Sequence, residues 1–232
     1  YFDPFLMLDE FGSENSEDYI AGFPPHPHRG IETVTYMLAG DFEHKDSTGG
    51  EGRMTAGDVQ WMKTGSGIIH SEMPAMKEGK LHGFQLWINM PAKFKMSKPE
   101  YIYIDADKMS VHKDHDKQVK VIAGKFKKAE GPVKGHNVEP VYFDVELNKS
   151  KDFNFKLPST HNTFIYLING EIEIGKNNHE NVKDSTLILL TKGEDLTVKA
   201  KSNAKFLVIS GKPINEEIAR GGPFVMNTKA EI

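Results

Sequence analysis

The sequence predicts an all-β protein of two tandem β-barrels, and three observations carry that prediction. Glycine (21) and proline (12) punctuate the whole of the 232-residue chain. The runs between them are short and rich in β-branched or aromatic residues, the pattern of many short strands joined by turns. The third observation is an internal echo. TYMLAGDFEH (Thr35–His44) aligns without gaps on IYLINGEIEI (Ile165–Ile174), setting Tyr36 over Tyr166, Gly40 over Gly170 and Asp41 over Glu171. Each copy reads as a strand, an Ala-Gly or Asn-Gly turn and a return strand, which is a β-hairpin signature. The repetition predicts a duplicated barrel.

The elements follow in order. Residues 1–108 form the expected first barrel, with strands at Thr33–Leu38 (TVTYML), Asp58–Lys63 (DVQWMK), Phe84–Asn89 (FQLWIN) and Tyr101–Asp105 (YIYID). Residues 109–232 form the second, with strands at Val119–Ile122, Val141–Leu147, Thr163–Ile168, Glu171–Ile174, Thr186–Leu190, Leu196–Ala200 and Phe206–Ile209. Helical periodicity is nearly absent. The best helix lies around Asn215–Arg220, in a tail (214–232) expected to pack back on the first barrel.

Composition narrows the function. The net charge of −4 offers nucleic acid no general attraction. The lysine-rich stretch DKQVKVIAGKFKKAEGPVKGH has Phe126 as its only aromatic for base stacking, so it reads as a solvated strand-and-loop face. No apolar run approaches the roughly 18 residues of a membrane span. Cysteine is absent, which excludes disulfides, thiolate nucleophiles and Cys-ligated metals. That suits a reducing cytoplasm. The chain opens at Tyr1 without an initiator Met, so native sequence upstream is expected to be missing.

Chemistry concentrates in two short segments. In FPPHPHRGIETVTYMLAG, His26 and His28 stand two apart, and side chains at i and i+2 of a strand share a face. Pro27 between them cannot donate a ladder hydrogen bond, which predicts a strand start or edge. GSGIIHSEMP repeats the spacing with His70 and Glu72, beside the apolar Ile68 and Ile69. If both pairs face inward from neighbouring strands, three imidazoles and one carboxylate converge on a divalent metal. On an octahedral ion these four leave two positions open. Imidazoles next to apolar neighbours need such a partner.

The chain resembles the pirins, a family of the cupin superfamily. The residues that carry the resemblance are FPPHPHRGIETVTYMLAG, GDVQWMKTGSGIIHSEMP, HGFQLWIN and the late GGPFVMN, in family order from DPFLMLDEFG onward. His26, His28 and Glu32 match the His-x-His-x3-Glu of the first cupin motif, and His70 matches the second. Gly40 sits one residue late for that first motif, and the interval from Gly57 to His70 is longer than the general cupin pattern. In pirins the carboxylate ligand follows the second-motif histidine by two residues. The resemblance therefore implies metal ligation by His26, His28, His70 and Glu72, and leaves Glu32 as a pocket or outer carboxylate or a strand-edge ion pair.

It also implies two cupin jelly-rolls holding one non-haem metal, iron(II) above nickel, copper, zinc, cobalt or manganese. The implied activity is that of a quercetin 2,3-dioxygenase, opening the heterocycle of a flavonol with O2 and losing carbon monoxide. Glu72 or Glu32 would take the 3-hydroxyl proton, with Phe23, Met37 and Gln85 on the pocket wall. The alternative is a metal- or redox-sensing regulator that binds a transcription factor or metabolic enzyme. A sugar-phosphate isomerase fits less well, since the Lys and Arg residues expected around a phosphate are sparse near the motifs, Arg29 being the exception. A monomer acting on a small aromatic substrate and O2, without membrane or direct nucleic-acid contact, is expected. In the second barrel the echo sets Lys156, Pro158 and Asn162 over His26, His28 and Glu32. That barrel is expected to be metal-free, with His161 at the surface.

Overall fold

Ile31–Ala39 is β-branched, aromatic or apolar at most positions, and it forms a strand buried along most of its length. In the computed structural model, which describes residues 1–175 and 180–232, it is the middle strand of a five-stranded antiparallel sheet. The order is Phe5–Ser13, Leu81–Asn89, Ile31–Ala39, Val59–Lys63, Glu100–Ile104. A four-stranded sheet, Phe23–His28, Ile68–Pro74, Phe42–Asp46, Glu51–Met54, lies over it. The two inner faces meet where Thr35 of the first sheet donates to Glu72 of the second.

The chain divides into two compact units, Tyr1–Lys108 with Ile214–Ile232, and Met109–Pro213. The second unit repeats the plan of the first. Its larger sheet runs Ser110–Lys113, Lys117–Ala123, Val141–Leu147, Ala204–Gly211, Asn162–Asn169, Thr186–Leu189. Its smaller one runs Asp152–Lys156, Asp195–Ala200, Glu171–Ile174, Glu180–Lys183. Between these sheets Phe126 stacks on Phe153 at 5.4 Å and 11°, and Phe206 meets Phe153 edge-on at 5.7 Å. Phe126, the one aromatic of the lysine-rich stretch, is therefore core.

The echoed segments occupy equivalent places in the two units, but they are not hairpins. Ile31–Ala39 and Phe42–Asp46 belong to different sheets, as do Asn162–Asn169 and Glu171–Ile174. The reason is local. The first strand of each pair bulges just before its end, between Met37 and Ala39 and between Leu167 and Asn169. A bulge bends and twists a strand. Gly40 and Gly170 then adopt φ of 93° and 92°, a region that favours glycine. Together these carry the chain across the barrel to the facing sheet.

The expected helix at Asn215–Arg220 is absent. Its backbone N–H groups find tertiary partners instead: Asp3 accepts from Ile214 at 3.0 Å and Asn215 at 2.7 Å, and Asn215 has φ 57°. Ala219–Gly221 pairs with Phe224–Met226, and Val225 N donates to Arg29 O at 3.0 Å. Helical turns among the described residues are three-residue 3-10 segments, such as Lys229–Glu231. The tail is pinned by Lys95, whose Nζ donates to Gly30 O, Asn89 Oδ1 and Val225 O at 2.8, 2.7 and 2.9 Å.

Candidate metal centre

Phe23–His28 holds three prolines and lies at a sheet edge, where the missing N–H groups cost no ladder bonds. It pairs with Ile68–Pro74 so that His26 stands opposite His70. On the other side of Ile68–Pro74, Asp46 stands opposite His70 and His44 opposite Glu72. Residues opposite one another share a face, so this register lays the polar side chains on one inner surface.

Three imidazoles converge there. Ring centroids are 4.3 Å apart for His26 and His70, 4.9 Å for His26 and His28, and 5.1 Å for His28 and His70. His26 Nδ1 lies 2.8 Å from Pro24 O, which can only accept, so Nδ1 carries a proton and Nε2 is the nitrogen left for an ion. Both nitrogens of His28, and Nε2 of His70, are buried with no partner in hydrogen-bond geometry. Burial, and then the neighbouring His26, push the His28 pKa down to about 4, against a smaller opposing pull from the nearby Pro223 carbonyl. Burial followed by His26, His28 and His44 takes His70 down to about 2, with Asp46 opposing. Convergent imidazoles whose buried nitrogens lack a protein partner are the chemistry of a metal ligand set, and the residues present fit such an ion.

Glu72 sits beside this trio rather than within it. Donor atoms of His26, His28 and His70 all lie within 4.8 Å of one another, and so do those of His44, His70 and Glu72. His70 belongs to both groups. Glu72 Oε1 accepts from Thr35 Oγ1 at 3.1 Å and Gln60 Nε2 at 3.3 Å, and Oε2 accepts from Gln85 Nε2 at 2.9 Å. Trp87 Nε1 donates to Gln85 Oε1 at 2.9 Å, which orients that amide. Burial raises the Glu72 pKa, opposed by His44, Thr35, Gln85 and His26. The result is a fixed carboxylate that is more basic than an exposed one.

Comparison with known proteins gives the family. The sequence model of the Pirin family matches residues 1–88, and that of the Pirin C-terminal cupin domain matches residues 142–232. The chain belongs to the pirin family. A Vibrio cholerae protein named as a putative quercetin 2,3-dioxygenase is 44% identical over 237 residues, covering 100% of this chain and 83% of that protein. A pirin-like protein of Caulobacter vibrioides is 43% identical, over 98% of this chain and 82% of its own length. Among solved structures, a quercetin 2,3-dioxygenase from Acinetobacter baumannii superposes with a TM-score of 0.88 at 35% identity, over 99% and 82% of the two chains. The bacterial pirin of Escherichia coli solved with nickel(II) shares the fold, with a TM-score of 0.72 at 23% identity over 91% and 83%.

The other expected site residues divide. Gln85 touches Glu72. Phe23 stands at the rim, 38% exposed, with its ring edge-on to Phe11 and Phe42 at 5.9 and 6.1 Å. Met37 is fully buried in an apolar cluster with Tyr19, Phe42, Met54 and Leu81, so it is core rather than pocket wall. Glu32 is excluded from the site by strand parity. Thr35 points at Glu72, so Glu32 points to the opposite face, where it accepts from Trp61 Nε1 at 2.6 Å.

In the second unit, the strands equivalent to the histidine-bearing pair carry Phe153, Leu196, Val198 and Ala200 into an apolar core. Lys156 forms an exposed ion pair with Asp195. His161 is not at the surface: it is 5% exposed, with Nδ1 3.3 Å from Ser210 Oγ. Sequence reasoning missed His44 and Asp46. Their signal was present, a third polar pair at i and i+2 in the return strand of the echo.

Proposed function

We propose that the chain is a non-haem metal dioxygenase that opens the heterocycle of a flavonol such as quercetin with O2, releasing carbon monoxide. The observation that carries this reading is that both nitrogens of His28 and Nε2 of His70 are buried without a hydrogen-bond partner beside a fixed carboxylate. The names and folds of the relatives support the reaction class. His26, His28, His70 and Glu72 would hold the ion, with iron(II) the metal we favour. When bound, such an ion supplies Lewis acidity toward an oxygen ligand and one-electron chemistry with dioxygen.

The protein's own residues do the rest. Glu72, made more basic by burial, accepts the proton of the flavonol 3-hydroxyl. Gln85, Gln60 and Thr35 keep its carboxylate aimed while it does so. Phe23 and Phe11 offer aromatic surface at the rim for a planar substrate. Both atoms of O2 enter the ring-opened ester, and C3 leaves with its oxygen as carbon monoxide, so the equation balances. The test is oxygen uptake and carbon monoxide release by metal-reconstituted protein with quercetin, alongside metal analysis. Stoichiometric uptake, release and loss of flavonol absorbance is expected. A fully iron-loaded protein no faster than free iron would overturn the enzyme reading.

A further inference from the structure

His44 and Asp46 are buried at the edge of the candidate metal centre, and the proposed chemistry does not use them. His44 Nε2 lies 3.0 Å from Asp46 Oδ2, and its Nδ1 lies 3.4 Å from His70 Nδ1. Its ring stacks on Tyr101 at 4.4 Å and 11°, which fixes the plane in which both nitrogens point. The carboxylate itself is clamped. Asp46 Oδ1 accepts from Thr48 N, Thr48 Oγ1 and Gly50 N at 2.7, 2.6 and 3.1 Å. A Cβ on Gly50 would lie 2.2 Å from Asp46 Oδ2, so the DSTGG turn is shaped around that oxygen.

Proton placement follows from donor and acceptor capacity. A carboxylate only accepts, so the proton between Asp46 and His44 sits on His44 Nε2. In the singly protonated ring this leaves the lone pair at Nδ1. His70 Nδ1 meets it favourably only as N–H. That leaves the lone pair of His70 on Nε2, the nitrogen that has no protein partner. Outer partners of this kind commonly set the tautomer and direction of a ligating histidine.

We infer that Asp46 and His44 are positioning residues that hold His70 in the tautomer whose Nε2 faces the ion. The inference rests on the metal-binding reading above. Four variants separate its links, each titrated with cobalt(II) against a competing chelator and checked for folding by circular dichroism without metal. His44→Asn places an oxygen acceptor near the Nδ1 position and should retain most of the affinity and the ligand-field spectrum. His44→Gln places its amide nitrogen near the Nε2 position, keeping the contact with Asp46 but losing the acceptor for His70. His44→Leu loses both. In Asp46→Asn the three turn donors retain the amide oxygen at Oδ1, so NH2 faces His44 and forces the proton onto Nδ1, against His70. Gln, Leu and Asp46→Asn should each weaken cobalt(II) binding by ~10–100-fold.

If those three bind as tightly as the parent chain, the relay is wrong while the metal site stands. If Asn proves as weak as Leu, no hydrogen bond from His70 is accepted at that position and the relay is equally wrong. A parent chain that binds no cobalt(II) would remove the metal reading itself, and the relay with it.

Discussion

Lys95 is the most telling perturbation in the first unit, because one buried ammonium serves three acceptors. It is 1% exposed, and its Nζ reaches Gly30 O, Asn89 Oδ1 and Val225 O. Burial lowers its pKa to about 8, opposed by the charges of Glu216 and Glu231. Lys95→Met keeps the length of the side chain and removes every donor. An orphaned buried acceptor costs ~1–3 kcal/mol. The low end of that range for three of them gives a loss of about 3 kcal/mol at neutral pH.

The pH dependence has a definite sign. Folded Lys95 titrates below its unfolded value of 10.5, so between about pH 8 and 10.5 the unfolded chain binds more protons. Parent stability from this group is complete above the unfolded pKa and is lost as pH falls through the folded one. At 1.36 kcal/mol per pKa unit, the rise is at most about 3 kcal/mol, since the three acceptors favour the ammonium and trim it. Urea unfolding followed by tryptophan fluorescence reports on this unit alone, because both tryptophans, Trp61 and Trp87, lie in it. The gap between parent and Lys95→Met should widen from about pH 7.5 to about pH 10. A gap that narrows would mean that the acceptors hold the ammonium more strongly than burial penalises it, and the reasoning would be refuted.

Two further outcomes are expected. Phe153→Ala removes a ring packed between Phe126 and Phe206, a loss of about 3–5 kcal/mol for a site that cannot fully collapse. Amide hydrogen exchange along Val141–Leu147 and Ala204–Gly211 should accelerate on the order of 100-fold or more, and unchanged protection would contradict the packing. Glu72→Gln sets an amide against three donors, from Thr35, Gln60 and Gln85, and removes the proposed base. With quercetin, turnover per bound metal should fall ~10²–10⁴-fold while metal content falls less. Equal losses of the two would make Glu72 a ligand only.

Much of the site was legible because strand periodicity is a property of the local chain. His26 with His28, and His70 with Glu72, share faces by spacing alone, and the apolar flanks of the second pair signal burial. The same parity, applied from Thr35, would have turned Glu32 away, but parity needs one residue of known direction and the sequence does not supply it. Pro27 likewise set His26 and His28 at a strand start or edge, and Phe23–His28 is the edge strand of its sheet. The echoed hairpins misled because a strand, a glycine turn and a return strand look alike whether the return pairs with its neighbour or crosses to another sheet.

What the sequence determined by itself was the all-β class, the repeat, the exclusion of thiol chemistry and the residue types of the candidate metal site, since composition and spacing require no knowledge of distant partners. Only the tertiary structure decided that His26 stands opposite His70, that Glu72 is gripped by Thr35, Gln60 and Gln85, and that His44 and Asp46 stand behind His70. It also replaced the tail helix with an extended segment tied to Asp3, Arg29 and Lys95. The physical reason is the same in each case. Register and hydrogen-bond pairing are set between segments remote along the chain, by which buried polar groups find partners once the sheets close, and no local pattern carries that information.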